Sequence, residues 1–307
     1  MKRNLVTLNA GKNLTKIIAA ISLLFIFTQK SFAQSNLTQP IRIPFTQTKD
    51  GHIIIEAKIN GIAGRFFFDT GAGVDLITKK FADKITDLEA TDHFYTGHRG
   101  TGEALKVDLW NGKLLQIGDF NVPKIIVAVY DVDFPLDGLI SLTSFKDNAV
   151  TIDYENIVLI VESNKSLNDL LAGKHFTMPI QITNDRNIDI SISTTIRLEN
   201  KLVLDVGLDT GAGDNVFMFN SQYMDSLRID KNSVKSKLRP STFDPAKGNT
   251  YYFTTLSKLT DLNNNVTVSD FKATFIEGFI HEGNMSLNWI GSKITIDIPK
   301  RRLVVPN

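Results

Sequence analysis

The sequence predicts an all-β chain made of two copies of one unit, and three observations predict it. Residues 34–307 read as a tandem repeat whose copies open and close on matching phrases. The segments in between are short runs of alternating apolar and polar residues. Gly, Asn and Asp punctuate those runs at regular spacing, the pattern of strands joined by turns rather than of helices.

The first 33 residues stand outside the repeat. Lys2, Arg3, Lys12 and Lys16 precede an apolar core, Ile17 to Phe27, of 11 residues. Such a core is too short to span a bilayer as a helix, which needs about 20 residues, but it suits a signal peptide. Ser31-Phe32-Ala33 places small residues at −3 and −1, so cleavage is expected before Gln34. With no cysteine in the chain, a lipoprotein anchor is not expected. The protein is therefore expected to be exported, periplasmic or secreted, with no membrane anchor after cleavage.

The leader carries five basic residues and no acid, so its removal takes the formal charge from +1 to −4. That balance is neither a nucleic-acid footprint nor a basic membrane surface. Without disulfides, the exported fold must be held by its core, for which 42% hydrophobic residues suffice.

The first copy opens with Ile43-Pro44-Phe45, then Thr48 and Asp50; the second with Met178-Pro179-Ile180, then Thr183 and Asp185. Alternating strands follow, His52 to Ile59 and Ile188 to Leu198. Short amphipathic stretches, Thr78 to Ile85 and Ser221 to Ile229, predict one short helix in each copy. Val150-Thr151-Ile152-Asp153-Tyr154 and Ile294-Thr295-Ile296-Asp297-Ile298 close the copies. The expected division is a leader over 1–33, an N-terminal β lobe over 34–162, a polar linker over 163–175, and a C-terminal β lobe over 176–307.

Within this frame one phrase occurs twice. Asp69-Thr70-Gly71-Ala72-Gly73 follows Phe66-Phe67-Phe68, and Asp209-Thr210-Gly211-Ala212-Gly213 follows an apolar run ending at Leu208. Each reads as a strand that stops at an Asp and enters a glycine-punctuated loop. An Asp ending an apolar strand is poorly hydrated, and two of them brought together form a carboxylate dyad.

These residues carry a resemblance. The sequence resembles the aspartic peptidases of the pepsin and retropepsin kind, whose catalytic loops read apolar-apolar-Asp-Thr-Gly-Ala/Ser. The resemblance implies a bilobal acid-protease fold: two β lobes related by a pseudo-twofold axis, with a few short helices. It implies that Asp69 and Asp209, one from each lobe, activate a water that hydrolyses a peptide bond. Thr70 and Thr210 would bond across to the opposite loop, while Gly71 and Gly211 leave room for that approach. The expected substrate is a polypeptide, the expected state a monomer, and no cofactor or metal is implied. Two carboxyls about 3 Å apart cannot both ionise, so one keeps its proton; aspartic-protease dyads are the standard example of this effect.

Three departures from the family pattern stand out. Ala72 and Ala212 replace a frequent Ser or Thr, which removes a hydroxyl that would stabilise an ionised carboxylate and predicts a mildly acidic to near-neutral optimum. The apolar-apolar-Gly element under the catalytic loops reads Asp137-Gly138-Leu139-Ile140-Ser141 and Glu282-Gly283-Asn284-Met285-Ser286. Ser replaces its final Gly twice, and Asn284 intrudes on an apolar position, which predicts weaker packing in the second lobe. Gly73 and Gly213 stand where polar residues often make contacts, so those contacts are expected to be missing.

A flap is expected over 93–102, where three glycines lie among aromatic and basic residues, with Tyr95 and His98 as candidate flap residues. The second equivalent, Pro240 to Phe253, is less glycine-rich, and Tyr251 and Tyr252 read as strand residues. The five histidines show no metal-ligand spacing, and no thiol, nucleophile elbow or phosphate loop is present. Two classes remain: an exported aspartic endopeptidase, and a non-catalytic protein that uses the same scaffold to bind peptides or partners.

Overall fold

The computed structural model describes residues 37–241 and 247–307, so the expected signal peptide over 1–33 lies outside the described residues. The described chain is all-β, and its strands form three sheets. The first eight-stranded sheet runs in the order Thr46–Gln47, Ile53–Ile59, Ile62–Phe68, Gly138–Ile140, Leu76–Thr78, Phe120–Tyr130, Ala104–Ile117, Glu89–His98. The second runs Gln181–Asp185, Asp189–Leu198, Leu202–Leu208, Gly283–Met285, Phe217–Asn220, Thr267–Ile276, Gly248–Asp261, Lys235–Pro240. The two orders are the same when the repeats are overlaid. Each sheet also curls back on itself through one further pairing, Lys58–Ile59 with Leu115–Gln116 and Ile196–Leu198 with Leu259–Asp261.

The alternation read from the sequence is the alternation of burial. Ile53, Ile55, Ala57 and Ile59 point into the core, and Glu56 and Lys58 point out. Phe66 and Phe68 are fully buried, the latter meeting Phe145 edge-on, which in turn stacks on Phe120. Burying a side chain of this size stabilises a fold by about 1.5–3 kcal/mol, so these phenylalanines anchor the first sheet beneath the Asp69 loop.

A third, six-stranded sheet takes strands from both copies, in the order Ile41–Pro44, Val158–Val161, Ala149–Asp153, Lys293–Asp297, Arg302–Pro306, His175–Pro179. At its centre the two closing phrases pair antiparallel, with Thr151 opposite Thr295 and their hydroxyls 2.7 Å apart. Identical residues of the two repeats thus face one another. The copies share this sheet rather than folding as separate bodies.

The helices are shorter than expected. Lys79–Ala82 makes one turn capped by Thr78, and Ser221–Tyr223 is a single 3-10 turn. The polar stretch expected to be a linker holds the longest helix among the described residues, Asn164–Ala172. Ser163 and Ser166 form a reciprocal capping box there, which satisfies orphan N–H groups that composition alone left open.

Candidate active site

The two Asp-Thr-Gly loops meet. Each Asp is held at the end of its strand by a backbone bond to the neighbouring parallel strand: Asp69 N–H donates to Ile140 O at 2.9 Å, and Asp209 N–H to Met285 O at 2.8 Å. Four further bonds cross between the loops. Thr70 N–H donates to Thr210 Oγ1 at 3.0 Å, and Thr210 N–H to Thr70 Oγ1 at 3.1 Å. The hydroxyls reach further across, Thr70 to Leu208 O and Thr210 to Phe68 O, both at 2.7 Å. Both threonines are buried, so β propensity does not account for them; they tie the loops.

The glycines make the approach possible. A Cβ built on Gly71 would stand 2.4 Å from Asp209 Cγ, and one on Gly211 would stand 2.6 Å from Asp69 Cγ. No side chain fits there without displacing a carboxylate. Gly71 and Ala72 N–H groups donate to Asp69 Oδ1 at 2.9 and 3.1 Å, and Ala212 N–H donates to Asp209 Oδ1 at 3.1 Å.

The Asp69 carboxyl lies well above the usual carboxylate range. Withdrawal from water is the main cause; the charge of Asp209 and a hydrogen bond shared with it add to the effect, and the Gly71 and Ala72 N–H groups oppose it. One proton held between two carboxyls is the state this environment favours.

Both acids open onto a cleft of about 650 Å³ that runs between the repeats. Tyr95, His98, Arg99, Leu105 and Val107 line it from the hairpin of the first copy, and Met218, Tyr251, Ile276, Phe279 and His281 from the second. A larger hollow of about 860 Å³ lies against Ile54, Glu56, Lys58 and Arg65, and neither Asp69 nor Asp209 lines it. Among the described residues, no group of three or more His, Asp or Glu is placed to hold a metal. No helix among them is long and apolar enough to cross a membrane.

The hairpin of Glu89–His98 and Ala104–Ile117 spans the cleft. Its turn touches the second copy, where Ile280 N–H donates to Gly100 O at 2.9 Å. At the same tip Glu103 takes a hydrogen bond from Ser241. Tyr95 lines the cleft with the acids, and its hydroxyl donates to Asp189 of the second copy; burial followed by that bond raises its pKa. His98 lines the cleft from an exposed position. We expect Tyr95→Phe to loosen the hairpin, because it removes the hydroxyl that donates to Asp189. Hydrogen exchange at 96–103 should quicken as the hairpin loosens; unchanged exchange would show that Asp189 does not hold it.

Sequence reasoning misread three features. Asn284 is no packing defect, because its side-chain N–H donates to Asp209 Oδ2 at 2.7 Å. Ser141 and Ser286 are used rather than merely tolerated. Ser141 N–H and Oγ bind Asp75 Oδ1 at 2.7 and 2.9 Å, and Ser286 Oγ accepts from Val216 N–H at 3.0 Å. At Gly73 a contact to the second copy is made through backbone, its O accepting from Ile190 N–H at 2.8 Å, whereas Gly213 N–H stays within its own loop and donates to Thr210 O at 3.3 Å.

Against this geometry, residues 55–143 match the family model described as aspartyl protease. That stretch is similar to aspartyl proteases. The match takes in Asp69–Gly73 and Gly138–Ile140, and it supports an aspartyl protease family for the chain and with it a protease hydrolase. Asp209 lies outside the matched residues. Among curated proteins, none matches the chain. The aspartyl protease match and the all-β sheets, each curled on itself, are mutually consistent.

Proposed function

We propose that the protein is an exported aspartic endopeptidase of the pepsin/retropepsin kind. Asp69 and Asp209 come from two lobes related by a pseudo-twofold axis. The observation that carries the reading is the meeting of the two Asp-Thr-Gly loops through four crossed hydrogen bonds at the floor of one cleft. The common strand order of the two sheets and the pairing of Thr151 with Thr295 support the lobe symmetry. The basic and apolar leader of 1–33 supports export, to the periplasm or beyond the cell. One chain carries both loops, which favours a monomer.

In the reaction the dyad positions a water against the carbonyl of an extended polypeptide in the cleft. The ionised carboxylate takes a proton from that water as it attacks. The protonated carboxyl donates to the carbonyl oxygen, and a proton then passes to the departing nitrogen. No covalent enzyme intermediate forms. The hairpin over the cleft excludes bulk water, which strengthens both interactions.

The test is cleavage of a denatured protein mixture by the chain lacking residues 1–33, with loss of cleavage on adding a statine-type inhibitor. Because burial and Asp209 raise the Asp69 pKa, the monoprotonated dyad persists toward neutral pH. The expected optimum is mildly acidic to near neutral, and an optimum below about pH 3 contradicts this account. Inertness across pH 3–8 would reduce the protein to a peptide-binding scaffold.

A further inference from the structure

The two copies differ where their frames should match most closely, directly beneath the acids. In the first, Phe67 on the Asp69 strand stands beside Leu139 of the parallel strand. In the second, the facing pair is Gly207 and Asn284. The Asn284 amide is held from both sides. Its Nδ2 donates to Asp209 Oδ2 at 2.7 Å, while its Oδ1 occupies the space over Gly207, where a Cβ would lie 2.5 Å away. Phe67 in that place would evict the amide. The glycine and the asparagine are thus two halves of one device, and the first copy has neither.

We propose, resting on the peptidase reading above, that Asn284 is a positioning residue that makes Asp209 the ionised member of the dyad and Asp69 the proton carrier. An amide N–H can only donate to a carboxylate oxygen in this geometry, and donation favours the charged form. The first-copy counterpart of Asn284 is Leu139, which has no amide to offer, so apart from the bond shared with Asp209 the Asp69 carboxyl has only the backbone N–H groups of Gly71 and Ala72. Asp209 has one backbone N–H at its side chain and the Asn284 amide as well. The raised pKa of Asp69 agrees with this division. The other charged or titratable groups around the cleft are Asp189, Tyr95, His98, Arg99, His281 and Tyr251. Tyr95 and Asp189 are bonded to each other. In this asymmetric site Asp209 takes the proton of the water, and Asp69 donates to the carbonyl.

The deciding experiment reads each carboxyl separately by carbon-13 NMR titration. Asp69→Asn leaves only Asp209 of the pair, and Asp209→Asn leaves only Asp69. Adding Asn284→Leu, the residue of the first copy, should raise the Asp209 pKa by about one unit and leave Asp69 within a few tenths. Equal shifts at both acids, or none at Asp209, overturn the proposal. In the otherwise native chain, Asn284→Leu should move the acid limb of kcat upward by about one pH unit. Well below the optimum, the rate then falls about tenfold. An unmoved acid limb in an active enzyme overturns the positioning role and leaves the peptidase standing. If the native chain cleaves nothing, the peptidase reading fails, while the titration still decides the proton placement. Should Asn284→Leu not fold, Gly207→Ala displaces the amide with Asn284 present, and it should raise the Asp209 pKa in the same direction.

Discussion

Asp69→Asn and Asp209→Asn should each lower peptide cleavage by at least about 10³-fold, because in the proposed reaction each removes one of the two proton-transfer roles and neither can be filled by an amide. Both variants should remain folded. The strands Ile62–Phe68 and Leu202–Leu208 and the crossed threonine bonds do not depend on the carboxyls. Asp69→Asn also carries a stability signature that a surface acid does not. Asp69 has a folded-state pKa above its unfolded one, so the folded state holds a proton that the unfolded chain releases. That contribution is fully present below the unfolded pKa and is lost as pH rises through the folded pKa. The Asp69 contribution to the melting temperature should therefore fall from mildly acid to alkaline pH in the native chain. Asp69→Asn should melt higher than the native chain at pH 8, with the difference vanishing near pH 3. Calorimetry at the two pH values checks this. A variant less stable than the native chain at pH 8 would mean that the two carboxyls do not strain the fold.

Thr70→Val should destabilise the protein by about 3 kcal/mol. The substitution keeps the shape and removes the hydroxyl, so Thr210 N–H and Leu208 O lose their partners in a buried place. Each orphaned buried group costs about 1–3 kcal/mol, against a total stability of about 5–15 kcal/mol for an ordinary domain. Thr210→Val should cost a similar amount by the equivalent loss at Thr70 N–H and Phe68 O. Thr70→Ser retains the bonds and should cost less than about 1 kcal/mol. Urea denaturation separates the three. Near-equality of Thr70→Val and Thr70→Ser would show that the crossed bonds do not hold the loops together. Activity should fall with stability in the Val variants, since the loops that set the carboxyl separation are the ones released.

The repeat, its strands and the two acids were legible in the sequence because they are local. Alternation with a period of two predicts a half-buried strand wherever it falls, and His52 to Ile59 obeys it residue by residue. A phrase used twice is visible without coordinates. What misled the reading was substitution judged at one position at a time. Asn284 reads as a polar fault in an apolar row until Gly207 and Asp209 are seen on either side of it. Ser141 reads as a poor glycine until Asp75 is found behind it. The residues 163–175 read as a linker because Ser and Asn favour turns, yet the same Ser163 and Ser166 cap a helix once the chain enters one.

By itself the sequence determined the all-β class, the tandem repeat and the twice-used Asp-Thr-Gly phrase, since each depends on residue type and spacing along one strand or loop. Only the tertiary structure decided which acid receives the asparagine amide, how the hairpin is held across the cleft by Tyr95 and Gly100, and that the closing strands of both copies join one sheet. The reason is physical. Those properties reside in contacts between residues separated by 75 to 180 positions, such as Asn284 with Asp209 and Gly100 with Ile280. At such separations, chain order places no constraint on which side chains meet until the core has closed.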